Sequence, residues 1–317
     1  MAVVGVGRWG PNLVRNFSAL DACTVRWVCD VDAERTRMVS TPVGARATSS
    51  LAEVLADDEV EAVAIATPAA SHRDVAHECL DTGRHVFVEK PLTTTLADAV
   101  AFADVAARRG LVLVCDHTYC FSATVRRLRT LVRDDGLGEL RRIESTRVNR
   151  GQPQPGVDVF WDLGHHDLAI LDYLLPRDQR PTAVSACGSD PIGIGRASAG
   201  ELTLYLDGTA TAHVRLDWLG DAKVRTMRFE GSRGAASWDD LAESPRLSLD
   251  SGRKIRIDNG FEPLRGAVSD FITAIQETRP PAIGVAAELR VLQMLEATRR
   301  SQEHGGVVVP LLLEGVP

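Results

Sequence analysis

A chain of 317 residues is long for one hydrophobic core, so two domains are expected. With 44% hydrophobic and 25% charged residues it has the make-up of a soluble globular protein, and a net charge of −7 with no evident basic face argues against a nucleic-acid surface. No run of about 18 apolar residues exists, so no membrane-spanning helix is expected.

Along residues 1–118, β-rich runs alternate with helical patterns. Strands are expected at 2–6, 24–30, 44–47, 62–66, 85–89 and 111–116, and helices at 11–20, 33–39, 50–56, 72–82 and 95–109. That alternation means βαβ units and a parallel sheet. From residue 119 the pattern changes. A helix at 122–132, whose Arg126, Arg127, Arg129 and Arg133 read as a solvated face, leads to a strand at 139–150 and a helix at 164–175. Strands then follow in succession at 182–187, 201–206, 209–218, 223–230 and 235–238, with helices at 263–278 and 286–303. Successive strands joined by turns such as Asp207-Gly208 indicate a largely antiparallel sheet. The reading is α/β: a Rossmann domain over 1–118 and an α+β domain with a large, mostly antiparallel open sheet over 119–317. Alternate apolar residues at 209–218 and 223–230 are expected to leave one face of that sheet in need of a cover, hence a homodimer or homotetramer.

The six cysteines are scattered without a CxxC pair, so neither a disulfide framework nor a metal site is expected, and Cys29 and Cys115 fit core strand positions. The N-terminus runs directly into a strand without a signal peptide, which makes the cytoplasm the expected compartment.

GVGRWG, with Gly5, Gly7 and Gly10, follows an apolar strand and opens a helix. In that setting the first glycine permits the turn, the second lets the backbone approach a pyrophosphate, and the third lets helix and strand pack closely. Arg8 and Trp9 lie inside the same loop. Asp30 ends the second strand at the separation expected of the residue that binds the ribose hydroxyls, which favours NAD; Arg8 or Arg35 leaves NADP possible. Thr67-Pro68 ends the 62–66 strand on the ligand side of the sheet. Glu89-Lys90-Pro91 ends the next strand, and Pro91 forces the chain out with an ammonium group held at the sheet's mouth.

Asp162 and His166 are four residues apart at the start of a helix and so share a face. A carboxylate so placed orients an imidazole and raises its basicity, as a general base requires. His165 is turned by about 100° from His166, so the histidines do not converge on a metal. His117, Tyr119, Arg147, Asn149 and His165 are candidate substrate contacts, with Arg150 beside them.

GVGRWG, the stretch AIATPAASHRDVAHECLDTGRHVFVEKP and WDLGHHD together resemble the Gfo/Idh/MocA family of glucose–fructose oxidoreductase and inositol dehydrogenase, over essentially the whole chain. DHTYCFSATVRRLRTL, RVNRG and WDLGHHDLAILDYLL most resemble members acting on nucleotide-linked sugars, such as UDP-N-acetylglucosamine 3-dehydrogenase-like proteins. The resemblance implies hydride transfer between NAD(P) and a sugar carbon, with the family's lysine at Lys90, its aspartate at Asp162 and its histidine at His166. Other readings left open are a cyclitol dehydrogenase, a glycoside hydrolase that uses NAD transiently, and a non-catalytic dinucleotide-binding regulator.

Overall fold

A computed structural model describes residues 1–134, 136–151, 153–244, 246–257, 260 and 262–311. Six short strands form a wholly parallel sheet: β1 (Ala2–Val4), β2 (Trp27–Cys29), β3 (Arg46–Thr48), β4 (Ala62–Ile65), β5 (His85–Val88) and β6 (Leu113–Cys115), in spatial order β3-β2-β1-β4-β5-β6. The order reverses between β1 and β4, the crevice where doubly wound sheets bind nucleotides. The connecting helices are α1 (Gly10–Ser18), α2 (Ala33–Ser40), α3 (Leu51–Leu55), α4 (Ala69–Asp81) and α5 (Leu96–Arg109). Their starts follow from capping chemistry: Asp32, Ser50 and Thr95 each accept backbone N–H bonds at the N-termini of α2, α3 and α5. Gly110 ends α5 at φ 65°, the left-handed turn that glycine adopts without a Cβ penalty.

The second sheet has nine strands. In chain order they are β7 (Leu140–Arg150), β8 (Pro181–Ser189), β9 (Ala199–Leu206), β10 (Thr211–Asp217), β11 (Leu219–Gly231), β12 (Gly234–Asp239), β13 (Leu247–Leu249), β14 (Lys254–Ile255) and β15 (Val309–Pro310). All neighbouring pairs are antiparallel except β7 with β10. Helices α6 (Ala123–Arg133) and α7 (His165–Leu174) belong to this unit, and α8 (Pro263–Gln276) and α9 (Val285–Glu303) follow it in the chain. The expected α/β architecture, parallel sheet followed by a mostly antiparallel one, is what the chain forms.

Three findings depart from the sequence reading. First, the chain divides into one unit of Met1–Thr118 with Glu262–Leu289 and another of Tyr119–Phe261 with Arg290–Pro317. The stretch 262–289 thus belongs with the parallel sheet. Phe271 of α8 meets Phe17 and Phe87 edge-on at 6.3 and 5.6 Å, and Glu262 takes a two-pronged bond from Arg15 at 2.7 and 2.8 Å. Burying one such ring is worth about 1.5–3 kcal/mol, ample to recruit a helix.

Second, the alternation in β10 and β11 is real, but its apolar half points to the covered face. Ala212, Val214, Leu216, Met227 and Phe229 are buried in register with Ser145 and Arg147, whose side chains reach Asp167 of α7. The opposite face carries Thr211, His213, Arg215, Thr226, Arg228 and Glu230, so it is polar rather than apolar. Third, of the four arginines at 126, 127, 129 and 133 only Arg126 and Arg127 are exposed. Arg129 stacks on Tyr173 at 4.5 Å, and Arg133 donates to the carbonyls of Tyr173, Leu174 and Leu175, closing the end of α7. The strands β13, β14 and β15, missed from sequence, are two or three residues long and too short to show a period.

Candidate active site

In the parallel-sheet unit the glycine loop has the shape its spacing calls for. Gly5 lies at φ 87°, and a Cβ there would meet Thr67 N at 2.5 Å. A Cβ on Gly10 would lie 2.0 Å from Gly5 O. These two glycines are therefore required by the protein itself. Gly7 differs: the nearest atom to its added Cβ is Arg35 Nη1 at 3.9 Å, so open space stands over it. The N-terminus of α1 begins beside that space with no acidic residue in its first turn. Free N–H groups and an exposed glycine form a cradle that fits a pyrophosphate. Arg8 and Trp9 are both exposed in this loop.

Asp30 is fixed by backbone: its carboxylate accepts from Val6 N at 2.6 Å and from Asp32 N at 3.0 Å. Each oxygen keeps a lone pair for a ribose hydroxyl. Arg35, one of the two arginines that left NADP open, is paired with Asp32 at 3.2 Å.

The ends of β4 and β5 are tied by a residue that the sequence reading passed over. His72, buried in α4, places Nε2 2.8 Å from Thr67 O and Nδ1 2.7 Å from Pro91 O. Burial holds the imidazole pKa below its ordinary value, and the two carbonyls pull it back up. Thr67-Pro68 and Glu89-Lys90-Pro91 are thereby held to one side chain, one turn along from Thr67. Lys90 is half-buried at the end of β5.

Glu89 is paired with a second buried carboxyl. Burial and then Asp116 raise its pKa well above the usual carboxylate range, and it hydrogen-bonds Asp116. Asp116, itself raised by burial, also accepts from Thr118 Oγ1 at 2.6 Å and from the Trp9 indole. The Glu89–Asp116 hydrogen bond thus links the β5 and β6 ends to the glycine loop. His117, a candidate substrate contact, is buried with Nε2 3.3 Å from Glu288 Oε2, and Glu288 also accepts from Leu92 N at 3.0 Å.

In the second unit, α7 starts at His165, and Phe160–Gly164 ahead of it form one π-helical turn. Asp162 lies in that wider turn, a form common at functional sites. Its Oδ2 accepts from Trp218 Nε1 at 2.9 Å, a partner 56 residues away. His166 is half-buried and its ring meets Tyr119 edge-on at 5.1 Å, whereas His165 is wholly buried.

Arg147, a candidate substrate contact, is enclosed by protein. It is 3% exposed, with Nε 2.5 Å from Asp167 Oδ2, while Ser145 Oγ donates to the other oxygen at 2.7 Å. Burial works against its charge, but Asp167 and Tyr119 more than offset that and raise its pKa. Tyr119 OH accepts from Arg147 Nη1 at 3.4 Å and from Arg225 Nη1 at 2.6 Å. Arg225 had no local signal, being 106 residues from Tyr119. Asn149 is half-buried on the same strand and Arg150 is exposed.

Among curated proteins, the chain is 28% identical over 301 residues to UDP-N-acetylglucosamine 3-dehydrogenase of Acidithiobacillus ferrooxidans, covering 92% of this chain and 93% of that one. It is 26% identical over 317 aligned positions to 4-carboxy-2-hydroxymuconate-6-semialdehyde dehydrogenase of Sphingobium sp., covering 95% and 99%. Among solved structures, GenD2 from gentamicin A biosynthesis, in complex with NAD, superposes with a TM-score of 0.86 at 25% identity over 98% of this chain and 95% of that one. Residues 1–117 match the profile of the oxidoreductase family with an NAD-binding Rossmann fold, and residues 125–237 match the C-terminal domain of the same family. With the glycine cradle, the fixed Asp30 and the second sheet in place, the chain belongs to the Gfo/Idh/MocA family of NAD-binding oxidoreductases.

Proposed function

We propose that this oxidoreductase moves a hydride between nicotinamide and a CH–OH carbon of a sugar, most specifically a nucleotide-linked sugar. The observation that carries the reading is His166: a half-buried imidazole opening α7, four residues after an Asp162 that Trp218 holds in place. The relative named for UDP-N-acetylglucosamine supports the sugar class; the relative named for a carboxylated semialdehyde shows how far substrates range among proteins this similar.

Bound NAD supplies the acceptor for the hydride leaving the carbon. In the oxidising direction His166 accepts the hydroxyl proton as the C–O bond becomes a carbonyl. Asp162 orients the imidazole and stabilises it once protonated. Lys90 donates to the same oxygen and stabilises the negative charge developing on it. In the loop that Gly5 and Gly10 shape, Gly7, Arg8 and Trp9 would hold the pyrophosphate, Asp30 the ribose, and Thr67-Pro68 the nicotinamide side, with Glu89 acting through Asp116. The Asp30 carboxylate favours NAD over NADP.

The test is formation of reduced nicotinamide with a panel of UDP- and dTDP-linked sugars. Turnover is expected with at least one of them, and Lys90→Met should lower kcat by about 10²–10³. His166→Asn should cost about 10²–10⁴. Activity unchanged in both variants would refute the catalytic assignment. We also assign a cytoplasmic location and a homodimer or homotetramer. Cell fractionation and light scattering at micromolar concentration check these, a strictly monomeric mass counting against the second.

A further inference from the structure

In the second unit a cluster of arginines gathers around Tyr119. Arg147 on β7 and Arg225 on β11 are directly opposed in the antiparallel register, where like charges repel. Asp167 neutralises Arg147. Among the described residues the carboxylate facing Arg225 is Asp240, at 3.6 Å, and Asp240 is shared with Arg246 at 3.5 Å. Among the described residues the ion pairs of Arg147, Arg225 and Arg246 are with Asp167 and Asp240, three guanidinium groups to two carboxylates in this cluster.

The Tyr119 hydroxyl sits between the two opposed guanidinium groups and accepts from both. Both of its lone pairs are taken, so its proton is left to donate. The ring's edge-on contact with His166 sets this donor group next to the proposed base. Tyr119, Arg225 and His166 are all half-buried. That is accessible enough to meet a ligand, yet shielded enough for charge to act more strongly than in water.

We propose that Tyr119 and Arg225 form an anion subsite that holds an acidic group of the substrate, a carboxylate or phosphate carried by the sugar that presents its hydroxyl to His166. An anion there accepts from the phenol O–H and from the outer N–H groups of Arg225, and it adds a third negative group to the cluster. A neutral sugar hydroxyl would satisfy a donor but bring no charge. The assignment rests on His166 as the base, and it narrows the substrate to sugars bearing an acid.

Calorimetry on the NADH-loaded protein tests it, with pyrophosphate, glucuronate, UDP-glucose, UDP-glucuronate and neutral methyl glucoside as probes. The acidic probes should bind more tightly than methyl glucoside. Arg225→Gln and Tyr119→Phe should weaken the acidic probes about tenfold or more, with NADH and methyl glucoside changed less than about twofold. Arg225→Lys, which keeps the charge, should restore part of the loss. Pyrophosphate against glucuronate tells phosphate from carboxylate. Equal affinity of the unmodified protein and Arg225→Gln for every acidic probe, or no preference for acidic over neutral probes, overturns the subsite. If no sugar is turned over while the dependence on Arg225 stands, the oxidation reading falls and the subsite remains.

Discussion

Arg147 and Asp167 form an ion pair enclosed by protein, 3% and 1% exposed, that joins β7 to α7. Ser145 completes the shell around Asp167, so the helix opened by His165 and His166 is anchored to the sheet by polar contacts as well as by its apolar side chains. Removing one partner leaves the other buried and uncompensated. Asp167→Asn should therefore destabilise the protein by about 3–5 kcal/mol, while Arg147→Met with Asp167→Leu should recover most of that. Urea unfolding measures both, and a loss from Asp167→Asn below about 1 kcal/mol would show that the pair does not secure α7.

Trp218 acts on Asp162 through one bond. Trp218→Phe keeps the ring's bulk and deletes the donor, costing about 0.5–1.5 kcal/mol in positioning. We expect kcat to fall about tenfold with KM nearly unchanged. A rise in KM at constant kcat would mean that Trp218 serves binding instead.

Gly7 and Gly10 should separate ligand binding from folding. Gly10→Ala drives a methyl into Gly5 O and should disrupt the loop and lower the melting temperature. Gly7→Ala meets nothing nearer than 3.9 Å, so the protein should keep its stability but lose NAD affinity. Thermal melts with and without NAD discriminate the two; a Gly7→Ala protein that binds NAD normally would remove Gly7 from the cradle.

Glu89 gives stability a pH slope. Its folded pKa is raised above the ordinary 4.5, chiefly by burial. From that ordinary value up to the folded one, the native state keeps a proton that the unfolded chain has lost, so stability declines as pH rises through this window. Glu89→Gln cannot ionise and should lose that part of the slope, leaving the one of the same sign from Asp116. Melting temperatures of both proteins from about pH 5 to about pH 9 test this; parallel curves would mean that Glu89 is not the group responsible.

Much of this was legible because local rules settle it. The glycine loop, the cap residues Asp32, Ser50 and Thr95, and strand-ending Pro91 each act through neighbours a few residues away. What stayed hidden depends on long-range pairing. Trp218 reaches Asp162, Arg225 reaches Tyr119, and Glu288 reaches Leu92 across 56, 106 and 196 residues. His72 was missed for another reason: a histidine inside an amphipathic helix looks like any other, and only the carbonyls at both of its nitrogens reveal the tie. The side of the sheet taken by the apolar half of β10 and β11 was likewise undecidable, since a period of two gives two faces without saying which one a helix covers.

The phenylalanine cluster of Phe17, Phe87 and Phe271 has a consequence for how the chain comes off the ribosome. The nucleotide-binding unit takes its last segment from residues 262–289, so the strands β7 to β14 of the second sheet, all but the terminal β15, are synthesised before it is complete. A gene cut after codon 118 would release a half-built domain with Phe17 and Phe87 missing the aromatic lid that α8 provides, a product prone to clump rather than bind dinucleotide.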